Sequence, residues 1–132
     1  MTRYMLDTNT VSHLLRQHPL VVRRVVATST ASLCISVITA GQLLFGLAMR
    51  PEASRLRQAV RELLRRVDVL PWDDSVAEQY GGMRADLQRS GTTLGSLDLL
   101  IAAHACSLGA VLVTNDQAFR RVGSLTVEDW TL

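Results

Sequence analysis

The sequence predicts an α/β protein, a three-layer α/β/α sandwich around a mostly parallel central sheet. Three observations carry that expectation. Short apolar runs alternate along the chain with longer stretches whose apolar residues recur at helical spacing. Strands separated in this way by helices pair in parallel through right-handed crossovers. Three aspartates, Asp7, Asp98 and Asp116, each sit where an apolar run meets a polar turn. In an open α/β sheet the strand ends share one edge, and ligands bind there.

Each element has its own reason. Arg3–Leu6 is a buried strand. Asn9–Arg16 and Leu20–Thr28 are helices parted at Pro19, because helix is disfavoured just before a proline. Leu33–Val37 is a second strand and Thr39–Met49 a helix. Pro51, at a first helical position, opens another helix reaching about Arg66, with Ala53, Leu56, Val60, Leu63 and Leu64 on its apolar face. Val67–Leu70 is a short strand. Asp73 or Asp74 caps a helix that turns Val76, Ala77, Tyr80, Met83 and Leu87 inward and stops before Gly91. Its Gly81-Gly82 pair is locally unfavourable. Ser96 caps a helix of Leu97, Leu100, Ile101 and His104 ending at Gly109. Ala110–Thr114 is the fourth strand, and Leu125–Val127 a fifth at the edge.

The bulk properties fit one domain spanning residues 1–132. That length buries a real core, and 48% apolar residues is ordinary for a globular chain. No apolar run is long enough to span a membrane. Asp7 interrupts the only early apolar stretch, so a signal peptide is not expected and the reading is cytoplasmic. Cys34 and Cys106 lack metal-ligand spacing and read as buried free thiols. A net charge of +2 is weak evidence for a nucleic-acid partner. All fourteen basic residues are Arg, which is the better bidentate phosphate ligand. Genome base composition accounts for Arg over Lys at most of these positions. The missing Lys excludes mechanisms that need one.

Three carboxylates held close repel one another unless a cation lies between them. Carboxylate oxygens are hard ligands, so the expected ion is Mg²⁺ or Mn²⁺, which can activate water and stabilise a phosphoryl transition state. Each acid also has a plain structural explanation. Asp98 favours a helix dipole, worth ~0.3–1 kcal/mol. Asp116 suits a turn, and Asp7 can cap the helix that follows. Three acids together at the sheet edge favour a site.

At this point the chain resembles the PIN-domain ribonucleases and, among them, the VapC toxins of type II toxin–antitoxin systems. Six signatures occur in order: Tyr4-Met5-Leu6-Asp7-Thr8-Asn9; Ser36-Val37-Ile38-Thr39-Ala40-Gly41-Gln42-Leu43 with Phe45-Gly46; Tyr80-Gly81-Gly82-Met83-Arg84-Ala85; Asp98-Leu99-Leu100-Ile101-Ala102-Ala103-His104-Ala105; Val113-Thr114-Asn115-Asp116 with Phe119; and Leu125-Thr126-Val127-Glu128-Asp129-Trp130. The resemblance implies a Mg²⁺- or Mn²⁺-dependent endoribonuclease that cuts structured RNA, commonly tRNA, by metal-activated water. It also implies a homodimer and a small VapB-like antitoxin as inhibitor. Position by position, Asp7, Asp98 and Asp116 match metal-site acids. Thr8, Asn9, Thr114 and Asn115 match polar neighbours of the carboxylates.

The chain departs from the family at Gln42, where the resemblance implies Glu. A capping box of Thr39 with Gln42 fits the residues, but Glu would serve it equally. An amide cannot act as general base and binds a hard cation less well. One unit charge at ~4 Å is worth about 4 kcal/mol at an effective dielectric of ~20, before desolvation. Either Gln42 was introduced to disarm a toxic enzyme, or it is natural and the aspartates suffice or catalysis is lost.

Arg57, Arg61 and Arg65 form one stripe at a spacing of four, with Glu62 able to pair with Arg66. A solvated face explains them; a contact to RNA phosphates or antitoxin, with Leu56, Leu63 and Leu64 as a groove wall, is the sharper reading. Arg84 is a further candidate at the site rim, and His104 reads as a core histidine. Two other function classes stand beside the nuclease. A catalytically weakened module would bind antitoxin or RNA only. A phosphotransfer protein is disfavoured, because such sites use a Lys, and the phosphatase pattern wants an acid where Asn9 stands.

Overall fold

The computed structural model describes residues 1–132. Its sheet has five strands: β1 (Tyr4–Leu6), β2 (Leu33–Ser36), β3 (Asp68–Leu70), β4 (Val111–Val113) and β5 (Val127–Glu128). Their order is β3-β2-β1-β4-β5, and every neighbouring pair is parallel. The α-helices are α1 (Thr8–Leu15), α2 (Pro19–Ala27), α3 (Val37–Met49), α4 (Ser54–Arg66), α5 (Asp74–Arg89) and α6 (Ser96–Ser107). None is long and apolar enough to cross a membrane.

Alternation along the strands builds two cores. Met5, Cys34 and Leu112 pack into one with Val76, Met83, Leu99 and Ile101 from α5 and α6. Leu6, Leu33, Ile35 and Val113 pack into the other with Val11, Val21, Leu43 and Val60 from α1 to α4. Both faces of the sheet are therefore covered, so the strands read as unbroken apolar runs. Each such side chain contributes about 1.5–3 kcal/mol by burial, and a one-residue slip would exchange the two sets.

Strand order places the ligand edge. The chain starts in the middle with β1 and builds outward through β2 and β3. It then returns to the other side of β1 for β4 and β5. The connections leaving β1 and β4 diverge, which opens a crevice at the carboxyl ends of those two strands. The tail is fastened beyond β5. Trp130 is buried, donates from Nε1 to Glu128 at 3.0 Å and lies under the Arg24 guanidinium, itself 3.0 Å from Glu128.

Several local expectations change. Pro19 is the first residue of α2 rather than the break before it, and His18 caps the helix through Nδ1. Pro51 lies in a turn, and α4 starts at Ser54. Helix α3 starts at Val37, capped by the Ser36 hydroxyl accepting from the Ile38 amide at 3.1 Å. Thr39 is thus inside the first turn, and the Thr39–Gln42 capping box does not form. Gly95, not Ser96, holds the cap position of α6. Ala77 and Leu97 are exposed rather than inward, Val67 precedes β3, and Cys106 is only half-buried. Asp73 is the cap of α5. Nothing in the structure explains Gly81-Gly82: an added Cβ at either meets open space.

Candidate active site

Asp7 leaves the end of β1 and is buried, 3% exposed. Its Oδ1 accepts the Thr10 amide at 2.7 Å, so it does cap α1. Burial raises its proton affinity above the ordinary carboxylate value. The Thr114 hydroxyl and the Thr10 amide and hydroxyl oppose that rise, and the Asp116 charge adds to it.

Asp116 lies beyond β4 and caps a short 3₁₀ turn, its Oδ1 accepting the Ala118 amide at 2.9 Å. The Thr114 hydroxyl accepts the Asp116 amide at 3.0 Å. Buried Thr114 therefore stands between the two acids. Asp98, in the first turn of α6, is half-buried and makes no hydrogen bond through its carboxylate. Burial raises its proton affinity first, then the charges of Asp116 and Asp7. A Cβ on Gly95 would come 3.3 Å from Asp98 Oδ2, so this glycine leaves the carboxylate its room.

The three acids lie after β1, after β4 and in the first turn of α6, and none of them is in an ion pair. They do not close into a ready-made cluster: no three of the chain's His, Cys, Asp and Glu groups stand close enough to grip an ion together. Capping ties Asp7 and Asp116 to their own turns. The donor chemistry fits a hard divalent cation, being all carboxylate oxygen with no Cys or His and no neutralising Arg.

Gln42 joins the site through Thr8, whose hydroxyl donates to its Oε1 and lies 3.4 Å from the Thr39 hydroxyl. Asn9 is exposed and makes no side-chain hydrogen bond. Asn115 meets His13, Nδ2 to Nε2, at 3.3 Å. The arginine stripe is not brought in. Arg57 donates to the Pro51 carbonyl and Arg65 pairs with Glu62 at 3.1 Å, while Arg66 is 3.9 Å from Glu62. Leu63 and Leu64 pack on the core; of the proposed groove wall, only Leu56 lines a cleft, with Thr8, Gln42, Phe45 and Met49. Arg84 donates to the Tyr80 hydroxyl at 2.8 Å and borders a different cleft, with Leu99.

Sequence reasoning missed Thr10, Ser36 and His13. Thr10 was findable, since a residue three after a capping Asp supplies the capped amide.

Residues 4–125 match the PIN domain family. The chain is 36% identical over 132 residues to the tRNA(fMet)-specific endonuclease VapC of Shigella flexneri, covering 99% of this chain and 100% of that one. It is 33% identical over 131 residues to ribonuclease VapC2 of Haemophilus influenzae, covering 98% and 99%. A crystal structure of DNA-bound VapBC from Salmonella typhimurium superposes with a TM-score of 0.91 at 37% identity, over 98% of this chain and 99% of that one.

Proposed function

The chain belongs to the PIN domain family, and from that premise we propose that it is a VapC-type endoribonuclease toxin. Its substrate would be structured RNA, with tRNA the class favoured by the names of its relatives. Residues 1–132 act on this reading as one cytoplasmic nuclease domain. What supports the reading is the match to the PIN family together with the placement of Asp7 after β1, Asp116 after β4 and Asp98 in the first turn of α6, none of them in an ion pair.

We assign Mg²⁺ or Mn²⁺ to Asp7, Asp98 and Asp116. When bound, such an ion supplies Lewis acidity toward the scissile phosphate and the attacking water. The chain's own residues do the rest. The Thr10 amide orients Asp7. Thr114 fixes the backbone that presents Asp116. Asp98, free of hydrogen bonds, is the carboxylate able to shift toward incoming ligand. Gln42 holds Thr8 but cannot take up a proton. That observation favours a second reading, a weakened nuclease that binds RNA or antitoxin more than it cuts.

We assign a small VapB-like antitoxin to the cleft of about 310 Å³ lined by Leu15, Leu43, Phe45, Met49 and Leu56, which ends at Gln42. Phe45 and Met49 are 66% and 68% exposed, more apolar surface than a lone chain needs to show. Exposed Val37 and Leu97 support self-association as a homodimer. The deciding experiment is Mn²⁺-dependent digestion of total tRNA by the wild type and by Asp7→Asn. Cleavage by the wild type alone supports the nuclease, and equal cleavage by both defeats it.

A further inference from the structure

His13 stands beside the candidate site, and the function proposed above makes no use of it. It projects from α1, and its Nε2 lies 3.3 Å from Asn115 Nδ2, the one side-chain hydrogen bond that Asn115 makes. The imidazole is braced from behind: its ring meets His18 edge-on at 5.3 Å, and His18 Nδ1 is held by the Val21 amide.

A carboxamide has two unlike ends, a donating nitrogen and an accepting oxygen. For Asn115 to reach His13 through nitrogen, Nε2 must be unprotonated, with the ring proton on Nδ1. Asn115 follows Thr114 and precedes Asp116, so the orientation of its amide matters. Holding the nitrogen leaves Oδ1, an acceptor, as the open end.

We propose that His13 is a positioning residue that grips the Asn115 amide by its nitrogen, fixing the orientation of the side chain that immediately precedes Asp116 and leaving Oδ1 as its unbonded end. Only its kinetic consequence rests on the ribonuclease reading. Interactions of this kind behind a metal or catalytic group alter activity by about 10–100-fold when removed.

The test uses the full chain at pH 8 and two readouts. Nitrogen NMR of His13 should show the Nδ1–H tautomer. His13→Phe keeps a ring against His18 and should shift the Asn115 side-chain NH₂ resonances, while His13→Gln restores an acceptor and should return them. In tRNA cleavage, carried out in the Gln42→Glu background, His13→Phe should lower kcat about tenfold with KM little changed, and His13→Gln should recover most of the loss. Asn115→Ala should match His13→Phe, and the double variant should be no slower than either. An Nε2–H tautomer, unmoved Asn115 resonances or multiplying kinetic losses overturn the proposal. If the resonances move as expected and no form cuts RNA, the positioning role stands and the ribonuclease reading falls.

Discussion

Ser36 Oγ and His104 Nδ1 lie 2.8 Å apart, both buried, and join two helices that carry site residues. Ser36 caps α3, the helix of Gln42; His104 is on α6, the helix of Asp98. Burial holds the imidazole below the ordinary histidine value of 6.5, against the opposing charge of Asp73. The unfolded chain therefore takes up this proton before the native one does. Stability from the neutral imidazole is full above 6.5 and is lost as pH falls from there toward the native value.

Ser36→Ala should cost about 2–4 kcal/mol, combining a lost helix cap with an orphaned buried nitrogen. His104→Leu should flatten the acid limb of stability. Urea unfolding at pH 7.5 and 5.5 checks both, and a wild type equally stable at the two pH values would contradict the account of His104.

Asp98 carries a charge that its neighbours penalise, since burial and then Asp116 and Asp7 raise its proton affinity. A raised carboxylate gains native stability as pH falls toward its unfolded value. Asp98→Asn should accordingly raise the melting midpoint of the metal-free protein, by roughly 2–5 °C. On the proposed metal assignment, Mn²⁺ should stabilise the wild type further, by about 2.7 kcal/mol at a hundred times its Kd, and the same variant should lose that rise. Scanning calorimetry with and without Mn²⁺ reads both effects, and an unchanged Mn²⁺ response in the variant would remove Asp98 from the proposed metal site.

Gln42→Glu keeps the shape that accepts the Thr8 hydroxyl and adds a charge. It should tighten Mn²⁺ binding and speed tRNA cleavage, each by about 10–100-fold, well inside the Coulomb limit of about 4 kcal/mol. Calorimetric titration and a gel assay measure the two. No gain in either would mean that residue 42 limits nothing.

Phe45 is 66% exposed at the cleft assigned to the antitoxin. Phe45→Ser should leave stability within about 0.5 kcal/mol. It should weaken the antitoxin complex by about 2 kcal/mol or more, because exposed aromatics that become buried dominate interfaces. Surface plasmon resonance against the cognate antitoxin decides it, and unchanged affinity would move the partner elsewhere.

The strands were readable because both sheet faces are covered, which leaves Met5-Leu6 and Leu33–Ile35 as unbroken apolar runs. Asp7 stood out because it follows such a run directly, and Asp116 because it comes two polar residues after another. Cap chemistry was less so. Ser36 and Thr39 both offer a hydroxyl near the start of α3, and which one caps depends on where β2 lets go. The link between His13 and Asn115 spans 102 residues, and no local pattern announces it. The inward face of α6 was misjudged at Leu97, since a helix pressed between α5 and the sheet buries Leu99 and Ala103 instead.

Because β1 is the central strand, the first residues synthesised wait for nearly the last. Tyr4 pairs with Val111, and Asp7 faces partners supplied by Thr114 and Asp116. A polypeptide released before β4 carries Asp7 and Asp98 but lacks Asp116 and the crevice beside β1. Assembly order therefore makes the site all-or-none with respect to β4: until that strand pairs with β1, the third acid and the crevice wall are both missing.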